Sequence, residues 1–318
     1  MLSILLIYLF MGTVAGVLAG LLGIGGGAVL VPGLLAVFAL QGLDAPAMVH
    51  QAIATSLACV VFTALSSIRA HHHRGSVDWP LFRRLAPGLL VGSLAGAFIA
   101  DLFDGLMLQR IFGVAALLIG FRMVVQQRRA EGRFALPGAV GLSTAGGLIG
   151  SLSALIGIGG GSLTVPFLSA CRVQMVRAVG TSAACGLPIA VAGVAGYLVT
   201  GWAEPGRLPH SVGYVLWPAV LGITAASMLA APWGARLAHW LPAAMLKRGF
   251  GVLLCVIGLR LALAGRIFFA LRPKLTSVAL MTRVDMNECC LLMAPGHVGF
   301  CSHGCGPQLW HSIRLCDS

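Results

Sequence analysis

GVLAGLLGIGGGAVLVPGL at residues 16–34 and GSLSALIGIGGGSLTVPFL at residues 150–168 are two copies of one glycine-rich sequence. The copies are identical at 11 of 19 positions, which include the run Gly-Ile-Gly-Gly-Gly and a proline five residues after it. Thr55-Ser56 and Thr181-Ser182 then recur at matching places further along the chain. Because the motifs keep their order, the sequence predicts two copies of a unit of about 130 residues.

The composition of the chain excludes an ordinary soluble protein. Of 318 residues, 58% are hydrophobic and only 9% are charged, whereas about 25% of the residues in a typical soluble domain are charged. So few charged side chains cannot cover a surface that faces water, and so many apolar ones exclude intrinsic disorder. The net charge of +12 comes from Lys and Arg residues scattered between apolar runs. A nucleic-acid-binding domain needs them clustered, so we predict a polytopic membrane protein and no nucleic-acid partner.

Ten apolar stretches follow one another along the chain, and most reach the roughly 20 residues that a helix needs to span a bilayer. The second and the seventh stretch are shorter, and each comes directly after a glycine cluster. The sequence therefore predicts an all-α, multi-pass integral membrane protein that has the lipid bilayer as its partner. The stretches are residues 2–22, 26–40, 50–68, 80–100, 106–124, 137–156, 160–171, 178–200, 212–231 and 247–265.

The charges of the connecting loops predict how each repeat is oriented. Positively charged loops face the cytoplasm, and equivalent loops of the two repeats fall into opposite charge classes. This exchange requires an odd number of crossings per repeat, so we predict inverted repeats, as in many secondary transporters. Five full spans per repeat fit that count, and so do three spans with a re-entrant hairpin tipped by the glycine cluster. The loops predicted inside are 69–84, 122–133, 171–178 and 232–248, with charges of +3, +3, +2 and +3; those predicted outside are 41–49, 101–110 and 201–211, with charges of −1, −1 and 0.

Residues 267–318 differ in character from the two predicted repeats, 1–134 and 135–266. This tail loses the apolar stretches, contains five of the nine cysteines and has no counterpart in the first repeat. Its cysteines and histidines are irregularly spaced, so zinc binding is the weaker interpretation. We predict an extramembrane appendage, and we expect neither a metal nor another cofactor.

The glycine clusters are the predicted substrate site. Glycine lets a ligand approach the backbone closely, and the helix that begins after each cluster directs free N–H groups and a positive dipole end towards it. Paired glycine-interrupted segments mark the substrate site of many transporters, although small residues also allow tight helix packing. The predicted substrate-binding residues are Gly23, Gly25, Gly26, Gly27, Thr55, Ser56, Gly157, Gly159, Gly160, Gly161, Ser162, Thr181 and Ser182.

The positions of the acidic residues indicate the charge of the substrate. All nine Asp and Glu residues lie in loops, at the ends of apolar stretches or in the tail. Carriers of cations and protons commonly hold a carboxylate within the membrane. A site made of helix N-termini and hydroxyl groups suits an anion instead, although such hydroxyls can also bond to the backbone of their own helix. We therefore predict a small anionic substrate.

The duplicated Gly-Ile-Gly-Gly-Gly-x(4)-Pro motif, followed by Thr-Ser, resembles the sulfite exporter TauE/SafE family of membrane permeases. The resemblance covers about residues 5–265, and the tail departs from the family pattern. It implies a multi-pass protein of the inner (plasma) membrane that moves sulfite, sulfonates, thiosulfate or other small sulfur-containing or organic anions. The residues that carry the motif are Gly23 to Gly27, Pro32, Gly157 to Gly161 and Pro166.

Two other classes of function stay open at the level of sequence. A structural or assembly protein would move no solute and would tolerate bulky residues in the glycine clusters. An intramembrane enzyme would need a base within reach of a nucleophile such as Ser162, and the histidines before the tail lie at the edges of apolar stretches. We therefore expect a transporter without enzymatic activity, whose direction, coupling ion and oligomeric state the sequence does not predict.

Overall fold

The computed structural model describes residues 2–22, 27–40, 47–125, 135–203, 208, 210–238, 249 and 251–263. Contacts divide the chain into two compact units, Met1–Arg266 and Ile267–Ser318, and every described residue belongs to the first. The predicted tail, 267–318, lies outside the described residues, as do three of the predicted site residues, Gly23, Gly25 and Gly26.

The described residues form ten helices and one short β-ribbon. The elements are α1 Leu2–Leu22, α2 Gly27–Leu40, α3 Met48–His73, α4 Trp79–Asp101, α5 Gly105–Val125, α6 Ala139–Ile156, α7 Gly161–Ala170, α8 Met175–Thr200, β1 Ser211–Val212, β2 Val215–Leu216, α9 Trp217–Ala238 and α10 Gly251–Leu263. Each helix coincides with one predicted apolar stretch, so the prediction of an all-α, multi-pass membrane protein is confirmed. Among the described helices, α3, α4, α5, α6 and α8 are long and apolar enough to cross a membrane.

The second helix of each repeat is short. α2 has 14 residues and α7 has 10, which at 1.5 Å per residue gives lengths of about 21 and 15 Å. The hydrocarbon core of a bilayer is about 30 Å thick, so α7 cannot be a full span. Of the two arrangements that the loop charges allow, the helix lengths therefore favour the re-entrant one.

The two repeats exchange helices instead of packing as separate bundles. The first helix of each repeat packs against the fourth helix of the other, α1 against α9 and α6 against α4. Glycine makes both contacts close. A methyl group at Gly16 would lie 2.5 Å from Ser227 O, and one at Gly92 would collide with Gly147 O. Small residues at such interfaces let two helix backbones approach each other in a membrane.

Equivalent helices of the two repeats pack against each other in opposite directions. On α3 and α8, Leu57 faces Gly193 and Ala64 faces Gly186, so residue numbers rise along one helix as they fall along the other. Two inverted repeats require this antiparallel pairing, although the orientation of each repeat in the membrane stays a prediction. The helices α5 and α10 pair in the same way, through Gly113, Gly120, Gly251 and Gly258.

Two segments differ from the boundaries that the sequence predicts. His71–His73, expected in the loop 69–84, form the last turn of α3. The apolar stretch expected from residue 212 begins with the β-ribbon, and α9 starts only at Trp217. The ribbon has a two-residue turn in which Gly213 has a φ of +56°, which glycine adopts readily in a tight hairpin.

Candidate substrate site

Gly27, the last residue of the first glycine cluster, packs against the second cluster, which is far from it in the sequence. A methyl group at Gly27 would lie 3.0 Å from Gly157 O and 3.1 Å from Gly159 N. These distances are tighter than ordinary van der Waals contact, so the absence of a side chain at Gly27 allows the approach. The start of α2 in the first repeat is thereby placed beside the turn between α6 and α7 in the second.

Ser56 links the two clusters through its side chain. Its hydroxyl donates to Gly157 O, with an Oγ–O distance of 3.0 Å, and Gly27 O lies 3.3 Å from the same Oγ. Ser56 is fully buried, so no water competes for this hydroxyl. One side chain of α3 therefore holds the end of α6 next to the start of α2.

Gly157 ends α6 in a left-handed conformation. Its φ of +69° is readily adopted by glycine and rarely by residues with a Cβ. Packing adds a second requirement, because a methyl group there would lie 2.9 Å from Val31 Cγ2 and 3.0 Å from Ile53 Cγ2. The chain turns at Gly157, and the next helix, α7, begins at Gly161.

The first turn of α7 and the facing helix α8 carry buried hydroxyl groups that have no hydrogen-bond partner. Within the described part of the chain, Ser162 Oγ, Thr164 Oγ1 and Ser182 Oγ are buried and unpaired. The first N–H groups of a helix also lack a partner inside the helix, and its dipole gives them a partial positive charge. Since buried polar groups in folded proteins are almost always paired, these hydroxyl groups are the candidate place for a ligand.

The helix α8 forms the wall opposite the N-terminus of α7. A methyl group at Gly186 would lie 3.9 Å from Gly160 N, and one at Gly160 would lie 3.6 Å from the carbonyl carbon of Cys185. Ser182 lies one helical turn before Cys185, on the same side of α8. Gly157–Gly161 are all buried, so the second glycine cluster is shielded from solvent by the described part of the chain.

Thr55 and Thr181 each hold a backbone group of the other repeat. Thr55 Oγ1 accepts a hydrogen bond from the N–H of Leu216 at 3.1 Å, and Thr181 Oγ1 accepts one from the N–H of Asp78 at 3.0 Å. Both threonines are fully buried. The hydroxyl groups of the two predicted Thr-Ser pairs therefore differ in their contacts. Both threonines accept a hydrogen bond, whereas Ser182 is unpaired.

Two repeated signals around these threonines were missed at the level of sequence. A Trp-Pro pair directly follows Asp78 and Leu216, the residues whose N–H groups bind the two threonines. These pairs begin α4 at Trp79 and α9 at Trp217. The motif Thr-Ser-x-Ala-Cys occurs at 55–59 and at 181–185, which places Cys59 and Cys185 at equivalent, buried positions. Both patterns were visible as further matches between the two halves of the chain.

Charged side chains lie at the two ends of the α3–α8 pair. Among the residues whose burial the structure describes, no Asp, Glu, Lys or Arg is buried. At one end Asp78 caps α4, since its Oδ1 accepts the N–H of Leu81 at 3.1 Å, and its Oδ2 lies 4.0 Å from Arg177 Nη1. At the other end Tyr214 donates its hydroxyl hydrogen to Asp101 Oδ1 at 3.0 Å. The site between these ends is lined by neutral groups.

The family of the chain follows from a comparison with known proteins. Residues 8–261 match the family described as Sulfite exporter TauE/SafE. This chain belongs to that family. The matched range includes both glycine clusters and reaches from α1 into α10, so the resemblance carried by the repeated motif is confirmed. Together with its spans, membership makes this TauE/SafE protein a multi-pass membrane transporter.

Curated relatives carry the same general description. The chain is 35% identical over 264 residues to a "Probable membrane transporter protein" of Haemophilus influenzae, with 83% of this chain and 100% of that protein covered. It is 28% identical over 268 residues to the "Probable membrane transporter protein YdhB" of Bacillus subtilis, with 82% and 99% covered. YunE, another protein of this name from Bacillus subtilis, is 31% identical over 179 residues, with 50% and 65% covered. No solved structure matches the chain.

Proposed function

We propose that this transporter carries a small anion across the plasma membrane, and that the anion is sulfite, a sulfonate or another sulfur-containing or organic anion. The TauE/SafE match and the relatives described as membrane transporters support transport itself. The chemistry of the site at α7 supports the anionic class of substrate. In this proposal the protein moves its substrate unchanged and catalyses no reaction.

The observation that carries the proposal is the set of unpaired, buried donors at the N-terminus of α7. A dehydrated oxyanion needs several hydrogen-bond donors in place of water, and Ser162 and Ser182 can supply two hydroxyl groups. The amide groups of Gly160 and Gly161 add the positive end of the helix dipole. A cation would meet no compensating charge there, because the described residues include no buried carboxylate.

The two serines of the Thr-Ser pairs have different roles in this proposal. Ser56 already interacts with two carbonyl groups, so it positions the clusters. Ser182 is 1% exposed and unpaired, so its hydroxyl is available to an anion. Gly27, Gly157 and Gly159 bring the backbone of both repeats to the site.

Ser182→Ala tests this site directly. A hydrogen bond to a charged group contributes about 1.5–3 kcal/mol, so we expect the variant to lose at least about tenfold in kcat/KM for the transported anion. Uptake of sulfite, thiosulfate, a sulfonate and a carboxylate into proteoliposomes measures the effect. Ser151→Ala is the matched control, because Ser151 is half-buried on α6 and its hydroxyl bonds to Leu148 O of its own helix, and it should transport at the native rate.

Other results would favour the other two classes of function. Equal uptake by the Ser182→Ala variant and the native protein would contradict the anion site. No flux of any of these anions by correctly inserted native protein would favour a structural or assembly role. An enzyme built on Ser162 would need a base, and within the described residues its Oγ has no hydrogen-bond partner; full transport by Ser162→Ala would argue against that class.

A further inference from the structure

We infer that two chain connections are the gates of this transporter, each docked on a threonine of the opposite repeat. The inner connection is residues 74–78, before α4, and the outer connection is residues 210–216, before α9. "Inner" and "outer" follow the predicted loop charges. The inference rests on the proposed transport function and adds to it the contacts that open and close the path.

The inner connection is docked on the first turns of α8. The N–H of Asp78 donates to Thr181 Oγ1 at 3.0 Å, and the carboxylate of Asp78 lies 4.0 Å from Arg177. Ser76 is 5% exposed, and a methyl group at Gly180 would collide with Ser76 O. Backbone and side-chain contacts thus seal this end of α8.

The outer connection is docked in the equivalent way on the first turns of α3. The N–H of Leu216 donates to Thr55 Oγ1 at 3.1 Å. The ring of Tyr214 stacks on that of His50, with centroids 5.2 Å apart, and its hydroxyl reaches Asp101. The amide of Gln51, one turn before Thr55, is fully buried and has no partner among the described residues.

The two docking points lie on either side of the centre of the glycine site. The contacts Leu57–Gly193 and Ala64–Gly186 set the register of the antiparallel helices α3 and α8. In this register Thr181 of α8 lies beside residue 69 of α3. This level is about 14 residues, or about 21 Å, from Thr55 along the helix axis. Gly27 packs on Val60, and Gly160 packs on Ile189. Along the axis of the α3–α8 pair, both contacts lie between Thr55 and Thr181. With both connections docked and Gly157–Gly161 buried, the structure represents an occluded state.

Sided thiol labelling tests the gates without a substrate. Cys185, buried beside Gly160, is kept as the only cysteine of the full chain and is labelled with a membrane-impermeant maleimide from each side of the membrane. Thr181→Val should raise the labelling rate about fivefold from the inside, and Thr55→Val from the outside, as the loss of one net hydrogen bond predicts. Thr181→Ser and Thr55→Ser keep the acceptor oxygen and should label at the rate of the parent protein.

The decisive result is that the two valine variants speed labelling from opposite sides. Acceleration from the same side, from both sides equally, or in neither variant would overturn the assignment of gates. Arg177→Gln provides a second test of the inner gate if a buried valine prevents folding, because the Arg177 side chain is 62% exposed. It should also accelerate labelling from the inside alone. If the two valine variants are labelled faster from opposite sides but no tested anion is transported, the assignment of the gates stands and only the proposed substrates are wrong.

Discussion

At the scale of single residues, Gly157 combines a left-handed backbone with close packing against α2 and α3. A side chain at this φ costs about 1–2 kcal/mol, and the neighbouring Val31 and Ile53 would also have to move. We therefore expect Gly157→Ala to lower the thermal unfolding midpoint of the purified protein and to reduce transport. Gly138→Ala is the control, because Gly138 has an ordinary φ of −62° and a methyl group there meets nothing within 4 Å. Equal unfolding midpoints for the two variants would contradict the strain at Gly157.

The sequence pointed to the candidate site but not to the different contacts that its residues make. The glycine run and the Thr-Ser pair were recognisable because they recur, and a repeat can be read from letters alone. Ser56 and Ser182 stand in nearly the same local sequence, yet Ser56 is paired with two carbonyl groups and Ser182 is unpaired. That difference depends on which backbone of the other repeat reaches each hydroxyl, so it could not be predicted from local sequence.

At the scale of elements, the contact between α4 and α6 depends on small residues of unequal importance. A methyl group at Gly92 would collide with the backbone of Gly147, whereas one at Gly147 would have its nearest neighbour, Gly88 O, at 3.8 Å. Gly92→Ala should therefore force the two helices apart, which typically costs 1–3 kcal/mol, and Gly147→Ala should not. Thermal unfolding in detergent compares the two variants. A native-like unfolding midpoint for Gly92→Ala would contradict this prediction, because it would show that α4 and α6 accommodate the methyl group without loss of stability.

The helices were predictable and the short connections were not. A run of about 20 apolar residues has few alternatives to a helix in a membrane, which is why the predicted stretches and the observed helices agree. The β-ribbon before α9 was hidden because Val212, Tyr214, Val215 and Leu216 continue the apolar run. Gly213, the first residue of its two-residue turn, was the available signal, and tertiary contacts with α3 and α8 complete the ribbon.

At the scale of the whole molecule, the exchange of helices makes each repeat dependent on the other. α1 of the first repeat packs on α9 of the second, and α6 of the second packs on α4 of the first. The predicted boundary between residues 134 and 135 therefore separates two copies of a repeated sequence. The first and fourth helices of each copy pack against helices on the other side of that boundary. The same exchange places Thr55 and Thr181 against backbone of the opposite repeat, so hydrogen bonds as well as helix packing join the two repeats.

The predicted inversion of the repeats gives the last prediction, which concerns the ends of α3 and α8. Because these equivalent helices pack antiparallel and both are long enough to span a bilayer, their C-terminal ends should face opposite sides of the membrane. His73 and Trp202 are exposed at these ends, and each is replaced by cysteine in a chain without native cysteines. An impermeant maleimide should label His73→Cys from the cytoplasmic side and Trp202→Cys from the outside, and detergent should make both accessible. Labelling of both variants from the same side would contradict inverted repeats. Arg172, Arg177 and the other basic loop residues of the second repeat would then lie outside, and the loop charges would need another explanation.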